Sequence, residues 1–327
     1  MDIQQLEEIK ACLTGDRMVF QYIPDGYALQ LLDDYIGDGM SIAQLRQSPY
    51  GKLLNKAIVR EALAHAGNGR LEPWHLQAVA HQYNQHKPLN FVLTLSEWGT
   101  DDKQWRAWHQ LSRTGYHLVL QLNFARDHHI QLQSLLKPFS TAPFSSHNHP
   151  VALDGRYETF AWARIDLDFA CNQALIEEIQ SDWVKEAYDP MMEGVYGENA
   201  LRQYQREVLQ PYARVWDEAM LAAALKLIRH DLGIREVFYN SYDTGNKLKG
   251  LAQYKSYPPR SLYTELPKRF CFASTSEAPD FLKSVRFVHY LQRQGQARWF
   301  KLPNQELNNG QEKGKNTASQ RAKTCAH

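Results

Sequence analysis

The sequence predicts an α+β fold: a mixed, mostly antiparallel sheet with a strand–helix–strand core and a helical N-terminal extension. Three observations predict it. Residues 1–88 place apolar side chains at helical intervals, as in Ile42, Leu45, Leu53, Leu54, Ile58, Val59 and Leu63. From residue 91 onward, short alternating or continuous apolar runs replace that pattern. A long apolar helical pattern then leads through Gly233 into REVFYNSY (235–242), the connection that a parallel strand pair requires.

Each element follows in order. MDIQQLEEIKACL has the pattern of an amphipathic helix. Ser41 suits an N-cap, Gly67 and Gly69 end the next helical stretch, and another runs from Pro73 to about Gln85. Basic residues are too sparse here for a DNA-reading helix pair. FVLTLSEW (91–98) and HLVLQLNF (117–124) read as strands, with a helix between them presenting Trp105, Trp108 and Leu111. A short helix is expected over 127–137, then a polar loop, PFSSHNHPVALDGR. The stretch from Phe160 to Trp183 reads as a hairpin, and 184–196 as irregular. The helical pattern from Glu198 is broken or restarted at Gln210-Pro211, and its stripe from Trp216 to Ile228 is wide enough for burial on most sides. A short helix in SLYTELPK, a strand in RFCFAST and a final helix or strand in FLKSVRFVHYLQ complete the pattern. This divides the chain into a helical extension (1–88), an α+β core (89–302) and a polar, disordered tail (303–327).

Composition bounds the function. With 37 Lys+Arg against 36 Asp+Glu, the net charge of +1 provides no global field for nucleic acid. The four cysteines lack CxxC spacing, so neither a disulfide framework nor a zinc knuckle is expected. No apolar run of membrane-spanning length and no secretory leader is visible, so a cytoplasmic protein with reduced thiols and no membrane partner is expected. Strings of the GxSxG, Walker A and HExxH types do not occur.

The hairpin carries the densest polar chemistry. Strict alternation puts Asp166 and Asp168 on one face of the first strand, and Glu178, Gln180 and Asp182 on one face of the second. Acidic groups are depleted in strands, so the cluster asks for a reason. It suits a solvated face with Arg164 paired across strands, a polar ligand pocket, or a Mg²⁺ or Mn²⁺ site on Asp166, Asp168 and Glu178. His128-His129 and His147-x-His149 read as surface histidines, and Cys171 as a small turn residue.

The string EEIQSDW (177–183) resembles a motif of uncharacterised bacterial and phage proteins, among them the multi-domain polyvalent proteins. There a similar strand precedes a Trp-containing helix, a strand and a Tyr-x-x-x-Leu-Pro segment. Trp216 with its helix, REVFYNSY and YTELP (263–267) follow in that order here, though only two residues separate Tyr263 from Leu266. The resemblance spans roughly 158–282. Residues 174–275 are also similar in element order to the GNAT acetyltransferase fold, which makes the core GNAT-like. That resemblance implies an acetyl-CoA or other acyl-CoA cofactor, with Asn240 or Asn246 near the pantetheine arm and Tyr263 as general acid. Glu178, with Gln180 and Asp182, would line the acceptor side as candidate base. The glycine-rich diphosphate loop of that fold is missing, and Gly194 and Gly197 are its partial substitute.

The leading expectation is therefore an acyl-CoA-dependent N-acyltransferase-like enzyme or a degenerate relative, acting on a small molecule or peptide. One alternative is a metal-dependent nuclease resembling the PD-(D/E)xK type, with Asp166, Asp168 and Glu178 as ligands. Another is a non-catalytic nucleotide or nucleic-acid binding module using 247–269, where Lys247, Lys249, Lys255, Arg260, Lys268 and Arg269 alternate with Tyr254, Tyr257 and Tyr263.

Overall fold

An eight-stranded sheet carries the fold in the computed structural model, which describes residues 1–13, 18–86, 88–102, 109–137, 143–146, 148–151, 158–251 and 257–304. The expected helix at Trp105 and Trp108 and the tail beyond 304 lie outside the described residues, as does His147.

The first third forms α1 (Ile3–Cys12), β1 (Met18–Tyr22), α2 (Gly26–Ile36), β2 (Met40–Ser41), α3 (Ile42–Gln47), α4 (Ala57–His65), β3 (Arg70–Leu71) and α5 (Pro73–Gln85). Ser41 caps α3 by accepting from the Gln44 amide, as its position predicts. Next come β4 (Leu89–Thr100), β5 (Gly115–Phe124), α6 (Arg126–Leu135), β6 (Thr159–Asp168) and β7 (Gln173–Gln180). The crossover contains α7 (Asp182–Ala187), α8 (Met191–Tyr196), α9 (Glu198–Tyr204), α10 (Gln210–Ala213) and α11 (Trp216–Lys226). The chain ends with β8 (Glu236–Asn240), α12 (Tyr242–Leu248), α13 (Glu265–Arg269), β9 (Ala273–Thr275), α14 (Arg286–Arg293) and β10 (Trp299–Lys301).

The strand order is β1-β4-β5-β6-β7-β8-β10-β9. All neighbours are antiparallel except β7 and β8, which the long helical crossover joins in parallel. The α+β class and the mixed, mostly antiparallel sheet are as predicted. Several elements differ from the expectation. The segment 1–88 is mostly helical as expected, but it also contains β1, an unexpected edge strand that pairs with β4. The stretch 184–196 is largely helical, in α7 and α8. Only Ala273–Thr275 of RFCFAST is strand, because α13 continues to Arg269. The short β10 inserts between β8 and β9.

One sheet face is apolar. Leu120, Leu122, Ala161, Ala163, Ile165, Ile176 and Ile179 pack beneath α11, whose residues 219–225 are all buried. Four alanines in that run keep the helix axis close to the sheet. The opposite face is apolar only around Leu175, Phe238 and Trp299, where α14 covers it through Val288 and Leu291. Further toward β5 this face is polar, and the candidate site lies there.

Candidate functional site

A β-bulge sets the geometry. Arg164 pairs with Glu178, but Ile165 pairs with Ile176, so Glu177 is the extra residue on β7. Strict alternation would put Glu177 on the apolar face. The bulge turns it toward Arg164, whose Nη2 lies 3.6 Å from Glu177 and 2.7 Å from Glu178. Lys249, at the end of α12, approaches from above and donates to Glu178 at 3.2 Å. All four side chains are buried. Arg164 also donates to the carbonyls of His109 and Gln110, so its fork is held in place.

Burial alone would raise the Glu178 pKa, but the Lys249 ammonium and the Arg164 guanidinium outweigh it and hold the carboxyl below its ordinary value. Burial lowers the Lys249 pKa, with Glu178 opposing. Glu178 is thus a low-pKa carboxylate engaged by two cations, which is the wrong state for the general base the sequence suggested.

The other acids are held in the same way. Arg113 grips Asp166 through Nε at 2.7 Å and Nη2 at 2.9 Å, and reaches Asp168 at 3.3 Å. Asp166, Asp168 and Glu178 therefore face guanidinium and ammonium groups. A different trio, His117, Asp166 and Glu177, has ligand atoms within 4.8 Å of one another. His117 meets them through opposite ring nitrogens, Nε2 toward Asp166 at 3.7 Å and Nδ1 toward Glu177 at 3.6 Å. Both Asp166 oxygens also accept from Arg113. This trio is an imidazole between two carboxylates.

One residue pair further along the strands, a polar row crosses four of them: Thr94, Gln121, Trp162 and Gln180 are successive cross-strand partners. Above its end stands His149. Its Nδ1 lies 2.8 and 2.9 Å from the two Asp182 oxygens, and its ring packs 5.5 Å from Trp162. Asp182 is in the first turn of α7, where Ser181 caps the helix by accepting from the Val184 amide. Gln180 donates to the same Asp182 at 2.7 Å. A carboxylate accepts only, so His149 Nδ1 is the donor to Asp182. The His149 side chain is 32% exposed, whereas Asp182 is buried. Trp162 Nε1 and Gln121 Nε2 are buried donors with no hydrogen-bond partner among the described residues. A partly exposed imidazole therefore packs against Trp162, whose cross-strand neighbour is Gln121.

The remaining expected residues lie elsewhere. Tyr263 and Asn240 are buried where β7 and β8 part after the Ile176–Tyr239 pair. Asn240 donates weakly to the Glu177 carbonyl, and Lys249 sits 5.7 Å over the Tyr263 ring. Burial, with Glu178 nearby, pushes the Tyr263 hydroxyl well above its ordinary pKa, so it keeps its proton. Asn246 is buried on α12. Gly194 and Gly197 lie on the α8–α9 joint, remote in sequence from the start of α11. Lys249 does not belong to a solvated cationic surface, and Tyr254 and Lys255 lie outside the described residues.

His128 is a core residue, not a surface one. It stacks on Phe124, meets the Tyr204 hydroxyl at 3.0 Å, and burial lowers its pKa to about 3. Half-buried His129 pairs with Glu158. Cys171 sits in the β6–β7 turn, where burial and Asp168 raise its thiol pKa, against a nucleophilic role.

Comparison with protein-family models, curated proteins and solved structures finds no match to this chain.

Proposed function

We propose that this chain is a degenerate relative of the N-acyltransferase-like enzymes, keeping an acid–base site for a small polar or peptide substrate but not the coenzyme A cradle. The parallel β7–β8 pair, parting at its end within an otherwise antiparallel sheet, supports the kinship. The His149–Asp182 pair beside the unpartnered Trp162 and Gln121 donors carries the functional reading.

Acyl-CoA fits this chain poorly. A diphosphate needs free amides and cations at the start of α11. That turn instead holds Asp217 and Glu218. Glu218 is buried and accepts from Tyr22 and from the Asp25 amide, while Arg269 is committed to Asp217. No step is therefore assigned to the coenzyme.

The protein's own groups supply the following chemistry. Asp182 fixes the His149 tautomer and stabilises the imidazolium that forms when Nε2 takes a proton. A side-chain shift that uncovers the buried Trp162 indole and Gln121 amide would let them donate to a substrate oxygen. The Arg164–Glu178–Lys249 group keeps the bulge rigid beneath them. No observation favours the nuclease alternative, because guanidinium and ammonium groups occupy the carboxylates it would need.

Hydrolysis of p-nitrophenyl acetate by the full chain tests this reading. A positioned base contributes about 10²–10⁴-fold. His149→Gln should lose most of the rate above the no-enzyme control, and Asp182→Asn about tenfold or more. Acetyl-CoA should neither raise the melting temperature nor act as a donor. A His149→Gln rate equal to wild type sinks the assignment, and stabilisation by acetyl-CoA would restore the coenzyme-dependent reading.

A further inference from the structure

We propose that the outward face of α14 binds single-stranded nucleic acid. This helix is amphipathic. Val288 and Leu291 point into the core, and Arg286, Phe287, His289, Tyr290 and Arg293 are exposed. Phe287 and Tyr290, one turn apart, lie parallel with ring centroids 5.9 Å apart and planes 10° apart. They are 39% and 49% exposed, an unusual cost for two large rings with no core to fill. Arg286 and Arg293 flank them, seven residues apart on one helix face.

The arginines are available. No ion pair engages either among the described residues, and the nearest acids in sequence, Asp280 and Glu277, are engaged by Lys283 and Lys301. A shallow depression lined by Arg286, His289, Gln292 and Arg293 gathers these groups together. The cationic strip continues past the helix: Lys247 donates to Gln296 at 2.9 Å, which places α12 against the turn after α14, and Arg298 is exposed there.

Charge and ring geometry together select the partner. Unpaired arginines call for phosphate or carboxylate. Exposed parallel rings beside them add a stacking surface that a carboxylate-rich peptide does not use. A flexible strand can bring unpaired bases onto the rings while its phosphates meet the arginines. In a duplex the bases are already stacked on each other, so only the phosphate contacts remain. This site lies on α14, apart from the His149 row on β6 and β7, so its failure leaves the hydrolytic reading untouched.

Fluorescence anisotropy of the full chain with labelled (dT)20, at several salt concentrations, is the test. The chain beyond 304 contributes Lys313, Lys315, Arg321 and Lys323, so every variant is compared in the full-length background. Arg286→Ala/Arg293→Ala should weaken binding and flatten the log–log salt slope by about 1.4, at roughly 0.7 per lost phosphate contact. Phe287→Ala/Tyr290→Ala should weaken binding about tenfold while leaving the slope unchanged. Arg46→Ala, on α3, should change neither. Circular dichroism confirms that the variants fold, since all four positions are exposed. The proposal is overturned if wild type does not bind (dT)20 at low salt. It is equally overturned if the aromatic variant binds as wild type does, or if a 20-base-pair duplex binds as tightly as the single strand.

Discussion

Lys249 shows how a buried charge is held at the scale of one side chain. Its ammonium is removed from water and meets Glu178 Oε2 at 3.2 Å, the same oxygen that Arg164 engages at 2.7 Å. Removing one partner of a buried ion group leaves the others uncompensated, at about 3–5 kcal/mol. Lys249→Met should therefore lower stability by about 3 kcal/mol, and Lys249→Met/Glu178→Gln should recover part of the loss. Urea titrations of the two variants decide this, and additive losses would count against the coupling. The pH dependence has a definite sign. Glu178 and Asp166 start from ordinary values of 4.5 and 3.8, and their folded pKa values are lowered despite burial, chiefly by Lys249 and Arg164 and by His117 and Arg113 respectively. Their stabilisation is complete above about pH 4.5 and is lost as pH falls through the lowered folded values. The sequence offered Glu178, Gln180 and Asp182 as candidate site residues and Arg164 as a cross-strand partner, but it did not join Lys249 or His149 to them. Lys249 lies 71 residues from Glu178 and His149 lies 33 from Asp182, so no local pattern joins either pair.

At the scale of elements, the β4–β5 ladder shows what glycine permits. Gly99 has φ +133°, and a Cβ there would lie 2.3 Å from the Gly115 carbonyl oxygen. Backbone, unlike the end of a side chain, cannot swing away. Gly99→Ala should cost about 2 kcal/mol or more, from strain at positive φ together with the clash. A melting temperature within error of wild type would show that the ladder end opens freely. The strands themselves were legible, since β4 to β8 coincide with runs of apolar or alternating residues of strand length. The bulge was not, because alternation alone leaves Glu177 on the face of Leu175 and Ile179, and only the pairing with β6 shows it to be the extra residue. The strands β1 and β10 escaped because MVFQY and WFK are too short to display a period.

For the whole molecule, the edge strand β1 decides whether the first 88 residues are an appendage or part of the core. Phe20 and Tyr22 belong to the same buried cluster as Leu32 of α2, Phe91 of β4 and Ile228 after α11. Tyr22 and the Asp25 amide close on Glu218, almost two hundred residues away, tying the edge of the sheet to the start of the crossover helix. A segment held by strand pairing, shared apolar contacts and a buried carboxylate is expected to unfold together with the sheet. Leu32 is fully buried, and its truncation to alanine should cost about 2–5 kcal/mol. If the segment is integral, that loss appears everywhere at once. Native-state hydrogen exchange of Leu32→Ala should show β1, α2, β6 and β8 amides losing protection together, by the same free energy. Earlier exposure of α2 and β1, with β6 and β8 still protected, would instead make the first 88 residues an independent unit docked on the sheet.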